Sequence, residues 1–329
     1  MVKVGINGFG RIGRMVFRAG HERLDIVAIN DPIPPQALMQ LLKYDSVHGK
    51  FQGDIRVTDH SLIIDGKEIL LYGEKDPARI PWHDAGVEVV LECSGFFTKR
   101  EDAAKHLQGG VSKVIISAPS KDADFVIVKG VNEHDYSKER HHVLSNGSCT
   151  TNCLAPMVKV LHDNFKIING FMTTVHAYTA DQRLIDAAHK DPRRGRSAAM
   201  SIVPTTTGAA TAIAQVIPAL KGRLDGIALR VPVPCGSITD FTCRVEKPTS
   251  REEINELFKN VANFHLKSVL EYAEDPLVSI DIVGNAHSVI FDSALTMVNK
   301  GTLVKVVGWY DNEWGYSNRM VDVASMLFR

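Results

Sequence analysis

A chain of 329 residues is longer than one ordinary hydrophobic core serves, so two domains are expected. Its 44% apolar and 23% charged residues exclude a disordered or collagen-like protein. Its 38 basic residues balance 38 acidic ones, so composition gives no footing for a nucleic-acid partner, and no apolar run reaches the ~20 residues of a membrane helix.

The chain opens directly into a β-branched run, Val2 to Ile6, with no secretion signal ahead of it. Gly8-Phe9-Gly10-Arg11-Ile12-Gly13 follows, and Arg14 to Ala19 reads as a helix. This is G-x-G-x-x-G between a strand and a helix, the context in which it binds a dinucleotide. Gly8 permits the turn, Gly10 lets a pyrophosphate approach the backbone, and Gly13 lets the helix pack closely. The phosphates would rest on the helix N-terminus. A second strand, Asp25 to Ile29, leads to Asp31, 18 residues after Gly13, near the spacing of an acid that binds the adenosine ribose.

Residues 49–72 alternate in pieces and predict a hairpin-like insertion. Val87 to Cys93 and Lys113 to Ser117 are near-continuous apolar runs, as buried parallel strands require. On spacing alone, Ser117 is equally a cofactor contact and a plain strand-end turn.

Cys149 lies in Gly147-Ser148-Cys149-Thr150-Thr151-Asn152-Cys153, just before the helical spacing of Leu154 to Phe165. A thiol at a helix N-terminus has a stabilised thiolate, which makes Cys149 the candidate nucleophile. Cys153, one turn further, reads as filler, and a lone C-x-x-x-C does not make a zinc site, so no metal is expected. The five cysteines have no framework spacing, which fits a reducing, cytoplasmic setting. Among thirteen histidines, His176 closes a strand-like run from Gly170 to Val175 and is a candidate base.

The basic run Lys190 to Arg196 reads as a solvated loop or a subunit contact. Pro204 to Ala210 places hydroxyls and Gly208 ahead of a helical stretch, either an anion site or a capped helix start. Strand-like runs over Ala228 to Val245 and Leu277 to Val307 predict a largely antiparallel sheet, and Val321 to Leu327 reads as a closing helix.

Several segments together resemble the phosphorylating glyceraldehyde-3-phosphate dehydrogenase family over essentially the whole chain. They are Ile6 to Arg14, Leu41 to Ser46, Ser145 to Cys153, His176 to Arg183, Pro204 to Ala210 and Trp309 to Arg319. The resemblance implies an α/β fold: a Rossmann-type doubly wound parallel sheet, and an α+β catalytic domain with a largely antiparallel sheet. It implies a dinucleotide-binding domain over 1–148, joined by a C-terminal helix at about 313–329, and a catalytic domain over 149–312.

It further implies Cys149 as the nucleophile that forms a hemithioacetal and then a thioester, with His176 as the base. The cofactor NAD would meet Gly8, Gly10, Arg11, Ile12, Gly13 and Asp31, with Lys75 and Ser117 as lesser contacts and Asn312 on the nicotinamide. Thr179, Asp181 and Arg230 would take the substrate phosphate, and Ser148, Thr150, Thr207 and Gly208 the attacking inorganic phosphate. A cytoplasmic homotetramer is implied, with Arg193-Arg194 near a neighbour's cofactor.

Asp31 favours NAD, because its charge repels a 2′-phosphate. Ala187-Ala188 stands where many NAD-specific members carry a bulkier residue and a proline, which opens the use of NADP as a second cofactor. Cys235-Gly236 replaces the Asn-Val of many members. The alternatives are an erythrose-4-phosphate dehydrogenase, against which the intact Tyr178-Thr179-x-Asp181-Gln182 argues, and a non-catalytic dinucleotide-binding regulator.

Overall fold

The computed structural model describes residues 2–327. The chain divides into two compact units, one built from residues up to 127, 134–147 and from 317 onward, the other from 128–133 and 148–316. Met1 and the last two residues of the expected 1–148 and 313–329 spans lie outside the described residues.

In the first unit the strands are β1 Lys3–Asn7, β2 Asp25–Asn30, β3 Ile55–Val57, β4 Ser61–Ile64, β5 Lys67–Tyr72, β6 Val89–Glu92, β7 Lys113–Ile116, β8 Phe125–Val126 and β9 Val143–Ser145. The helices are α1 Arg11–Gly20, α2 Pro35–Lys43 and α3 Arg100–Ala103. The sheet order is β3-β4-β5-β2-β1-β6-β7-β9-β8, parallel from β5 onward, with β3-β4-β5 antiparallel. β6 and β7 are buried at every position, because helices and loops cover both faces of a parallel sheet. The chain leaves β1 toward β2 and later returns to β1's other side as β6. That reversal is where an open α/β sheet binds its ligand, at the carboxyl ends of the strands.

A buried polar chain runs under this point. Trp82 Nε1 donates to His106 Nδ1 at 3.1 Å, so the neutral ring carries its proton on Nε2, 3.0 Å from Glu92 Oε2. The same carboxylate accepts the Asn7 amide and the Ser94 backbone N–H. It therefore ties the end of β1 to the end of β6, beside the glycine-rich turn. Full satisfaction is what makes such a buried network tolerable.

In the second unit the elements are α4 Cys149–Phe165, β10 Ile167–Ala177, β11 Val203–Thr206, α5 Ala209–Val216, β12 Leu224–Val231, β13 Ser237–Val245, α6 Arg251–Asn263, β14 Leu270–Ala273, β15 Val289–Asp292, β16 Met297–Asn299 and β17 Leu303–Tyr310. The sheet order is β11-β12-β10-β13-β17-β15-β14, with β16 on β17. β10·β12 and β14·β15 are parallel and the remaining pairs are antiparallel. Thus the sheet is largely antiparallel, as expected, but the exception at β10·β12 runs through the site.

The closing helix, α7 Trp314–Met326, begins seven residues before the Val321 expected to start it and ends one residue before Leu327. Its later turns belong to the first unit. A Cβ on Gly20 of α1 would stand 2.9 Å from Val321, and Arg23 pairs with Asp322. Among the described residues no helix is long and apolar enough to cross a membrane.

Candidate active site

Ser148 caps α4. Its side-chain oxygen accepts the Thr151 N–H at 3.0 Å, which satisfies one of the helix's orphan donors. Cys149 is therefore the first helical residue. β10 carries His176 near its end, where Nε2 lies 3.3 Å from Cys149 Sγ. The two residues are 27 apart in sequence, and only the packing of α4 on the sheet brings them together.

The ring is held on three sides. Tyr310 meets it edge-on at 5.9 Å between centroids, and the Tyr310 hydroxyl bonds Thr150 Oγ1 at 2.9 Å and Thr174 Oγ1 at 2.8 Å. The Ala177 carbonyl oxygen lies 2.7 Å from His176 Nδ1. Arg230, which pairs directly with His176 in the parallel β10·β12 register, places Nη1 2.6 Å from the same nitrogen.

Burial raises the Cys149 thiol above its ordinary pKa, against the lowering that a helix start alone predicts. Arg230, the Thr150 hydroxyl and N–H, and Cys149's own N–H pull in the opposite direction. Burial and then the Arg230 charge push His176 down to about 3, with only the Ala177 backbone hydrogen bond pulling the other way. The other cysteines are all buried; Cys153 is pushed up by desolvation, which suits a structural thiol.

The remaining phosphate-site candidates fall into two groups. Thr150 is buried, its hydroxyl committed to Tyr310, so an anion would reach it through the backbone. Thr207 caps the start of α5 by accepting the Ala209 N–H at 3.2 Å, and the Gly208 Cβ position is open space. Asp181 pairs not with Arg230 but with Arg194, whose Nε donates to Thr205 Oγ1 at 2.9 Å. Thr179 stands two residues before Asp181, and its N–H donates to Gln182 Oε1 at 3.3 Å. Tyr310 carries no signal of its own in the sequence, standing beside Asn312 in the Trp309 to Arg319 segment. Arg194 falls in the basic run that reads as a solvated loop or a subunit contact, and its place beside Asp181 is a finding of the structure.

The glycine-rich turn of the first unit fits a dinucleotide. Gly8 has φ +86, and a Cβ there would strike Ser94 at 2.5 Å. Nothing lies within 4 Å of a Cβ on Gly10, which leaves the backbone approachable above the start of α1. Asp31 Oδ2 accepts the Phe9 N–H at 2.7 Å and Oδ1 the Ile33 N–H at 3.0 Å, so the carboxylate is anchored beside the turn. Ile12 follows Arg11 in the first turn of α1, and the Arg11 side chain is paired with Asp45. Ser117 sits at the end of β7 with its hydroxyl toward Cys93, and Lys75 is exposed after Glu74. In the second unit, Asn312 Oδ1 accepts the Gly236 N–H at 3.2 Å and the Ser237 hydroxyl at 2.9 Å. Its amide end is then the one on offer to a ligand.

A turn that fits a dinucleotide belongs to one unit and a helix-borne thiol beside an imidazole to the other, which is the equipment of an oxidoreductase. Comparison with known proteins agrees. Residues 2–100 match the model of the glyceraldehyde 3-phosphate dehydrogenase NAD binding domain, and residues 148–312 match that of its C-terminal domain. The chain is 56% identical over 333 aligned positions to "Glyceraldehyde-3-phosphate dehydrogenase" of Thermotoga maritima, covering 100% of both. It is 55% identical to the protein of that name from Geobacillus stearothermophilus, covering 99% of this chain and 98% of the relative. With "Glyceraldehyde-3-phosphate dehydrogenase 1" of Bacillus subtilis the identity is 53%, over 99% and 98%. The chain belongs to the glyceraldehyde-3-phosphate dehydrogenase family.

Proposed function

We propose that the chain oxidises and phosphorylates D-glyceraldehyde 3-phosphate to 1,3-bisphosphoglycerate with reduction of NAD, in glycolysis and gluconeogenesis. The observation that carries this reading is the 3.3 Å approach of His176 Nε2 to Cys149 Sγ at the start of a capped helix.

The Cys149 thiolate attacks the aldehyde carbon, and the new C–S bond gives a hemithioacetal. In this reading the backbone N–H of Cys149 and the His176 imidazole, both close to the sulfur, stabilise the developing alkoxide. His176 Nε2 then takes the hydroxyl proton as the carbon gives up its hydride, which leaves a thioester on Cys149. Bound NAD would supply the hydride acceptor. Inorganic phosphate attacks the thioester carbon, the C–S bond breaks, and the thiolate returns.

In this reading Arg230, Thr179 and Asp181 receive the substrate phosphate, and Arg230 suits the task because its fork donates two hydrogen bonds. Ser148, the Thr150 backbone, Thr207 and Gly208 receive the second phosphate. Gly8, Gly10, Gly13, the first turn of α1 and Asp31 bind the adenosine half of NAD; Lys75 and Ser117 add lesser contacts. Asn312 orients the nicotinamide. Asp31 makes NAD the preferred cofactor, and Ala187 and Ala188 are the positions at which NADP would gain entry.

The test is the initial rate of NADH formation from glyceraldehyde 3-phosphate, with and without inorganic phosphate, beside the same assay with NADP. Phosphate-dependent turnover with NAD supports the reading. No turnover while Cys149 still alkylates overturns it. A cytoplasmic homotetramer belongs to the same proposal, and light scattering on the eluting protein checks the assembly.

A further inference from the structure

The two ends of the Asn312 amide exchange places by a half-turn of the side chain. Whatever fixes that turn decides whether a ligand meets an oxygen or an NH2. Two donors fix it here. The Gly236 N–H, which can only donate, lies 3.2 Å from one end, and the Ser237 hydroxyl lies 2.9 Å from the same atom. That end is therefore the oxygen, and the NH2 faces the other way.

Ser237 does more than orient the amide. Its hydroxyl has one proton, which it gives to Asn312 Oδ1, and its oxygen accepts the Ala177 N–H at 3.1 Å. Ala177 follows His176 and ends β10, and its own carbonyl oxygen lies 2.7 Å from His176 Nδ1. A single buried hydroxyl thus joins the strand end that carries the imidazole to the side chain of Asn312. Sheet order makes this reach possible. Ser237 opens β13, which lies between β10 and β17, and it pairs with Tyr310, two residues before Asn312.

The backbone beside Asn312 is held by other means. Asp311 Oδ1 accepts the Glu313 N–H at 2.9 Å and the Trp314 N–H at 2.8 Å, and Oδ2 accepts the Gly284 N–H at 2.8 Å. Cys235 Sγ also donates to Asp311 Oδ1, at 3.1 Å. These bonds place the chain from 311 to 314 and leave the turn of the Asn312 side chain to Gly236 and Ser237.

We propose that Ser237 is a positioning residue for the hydride transfer. It turns the Asn312 NH2 toward the carboxamide oxygen of a nicotinamide, and it ties that presentation to the strand end that carries His176. This rests on the reading of Asn312 as the nicotinamide contact. Ser237 acts through Asn312 and exchanges no proton with substrate or cofactor. Without its hydroxyl, the Ala177 N–H loses this acceptor and the Asn312 oxygen keeps the Gly236 N–H, so one bond holds the amide where two did.

Calorimetric titration of the full-length protein with two probes tests this. One is NAD; the other is ADP-ribose, which shares its adenosine and diphosphate and lacks the nicotinamide. Ser237→Ala should weaken NAD about tenfold, the upper worth of one hydrogen bond, and leave ADP-ribose unchanged. Damage to the fold would weaken both probes together, so the ratio within each variant separates the two effects. Ser237→Thr, which keeps the hydroxyl, should restore the ratio, and Ser237→Cys gives the same comparison at constant size if the alanine variant does not fold. At saturating NAD the single-turnover burst of NADH should slow about tenfold in Ser237→Ala. An unchanged ratio, an equal loss for both probes or an unslowed burst overturns the proposal, as does a wild-type protein that does not bind NAD. If the ratio falls as expected but the wild-type protein does not turn over glyceraldehyde 3-phosphate, the functional reading fails and Ser237 keeps its role for the oxidation of another substrate. If turnover is seen and the ratio is fixed, the proposal alone fails.

Discussion

A Cβ on Gly13 would lie 2.1 Å from the carbonyl oxygen of Gly8. The third glycine of the turn is thus required by the first: the helix start is pressed onto the turn's own backbone. Its contact with β1 is looser, since the same Cβ would be 3.5 Å from Ile6. Gly10, between them, has nothing within 4 Å. The two positions therefore separate folding from binding. Gly13→Ala should cost about 1–3 kcal/mol, because backbone cannot yield as a side chain does. Gly10→Ala should leave the denaturation midpoint nearly unchanged and weaken NAD about tenfold, ~1.4 kcal/mol, by filling the approach to the backbone. Urea titrations and NAD binding isotherms on both variants check this, and equal losses of stability would contradict it.

His176→Asn should lower kcat roughly 100- to 10,000-fold, the usual worth of a positioned base, while NAD affinity is kept. Cys149→Ala should abolish turnover and the single-turnover burst of NADH. Rapid-mixing kinetics decide: a full burst in His176→Asn would remove the proton-transfer role.

Asp45 governs an acid-side loss of stability. Its side chain is 2% exposed; burial raises the carboxyl, but the His48 and Val47 N–H groups and the paired Arg11 outweigh that and hold it well below the usual carboxylate range. A depressed folded pKa stabilises above the unfolded value of about 3.9 and is lost as pH falls below it. Asp45→Asn should cost about 2 kcal/mol at neutral pH and flatten the decline below about pH 4. Thermal midpoints across that range are the measurement; parallel curves for both proteins would refute the assignment.

Gly236 has φ +89, and a Cβ there would stand 2.2 Å from the Ser279 carbonyl oxygen. Its N–H also holds Asn312. Gly236→Ala should therefore cost about 1–3 kcal/mol and raise KM for NAD together. A change in stability alone would detach this turn from the proposed role of Asn312 on the nicotinamide.

What could be read in the sequence was local. The turn after β1 and the Ser148 cap before Cys149 announce themselves because a few neighbouring residues suffice to define them. What could not be read was register. The sequence puts His176 at the end of a strand, but its pairing with Arg230 depends on β10 and β12 running parallel inside a sheet expected to be mostly antiparallel. The pairing of Arg194 with Asp181 is illegible for the same reason: Asp181 is brought over by a loop, not by a periodicity. The helix α6 is a different case. Ser250 as its cap and the spacing of Ile254, Phe258 and Ala262 are local signals, but the strand-rich stretches on either side mask them.

The last turns of α7 complete the unit with which the chain begins, through Val321 against Gly20 and Asp322 on Arg23. On the ribosome, this unit is begun before the other and completed after it. Its opening strands must wait for more than 150 residues, 148–316, to emerge before the missing helix arrives. The intervening unit has all of its residues earlier, so it is free to fold while its predecessor is still incomplete. A nonsense mutation in the codons of α7 would accordingly damage the nucleotide-binding half and spare the strands that carry the thiol and imidazole.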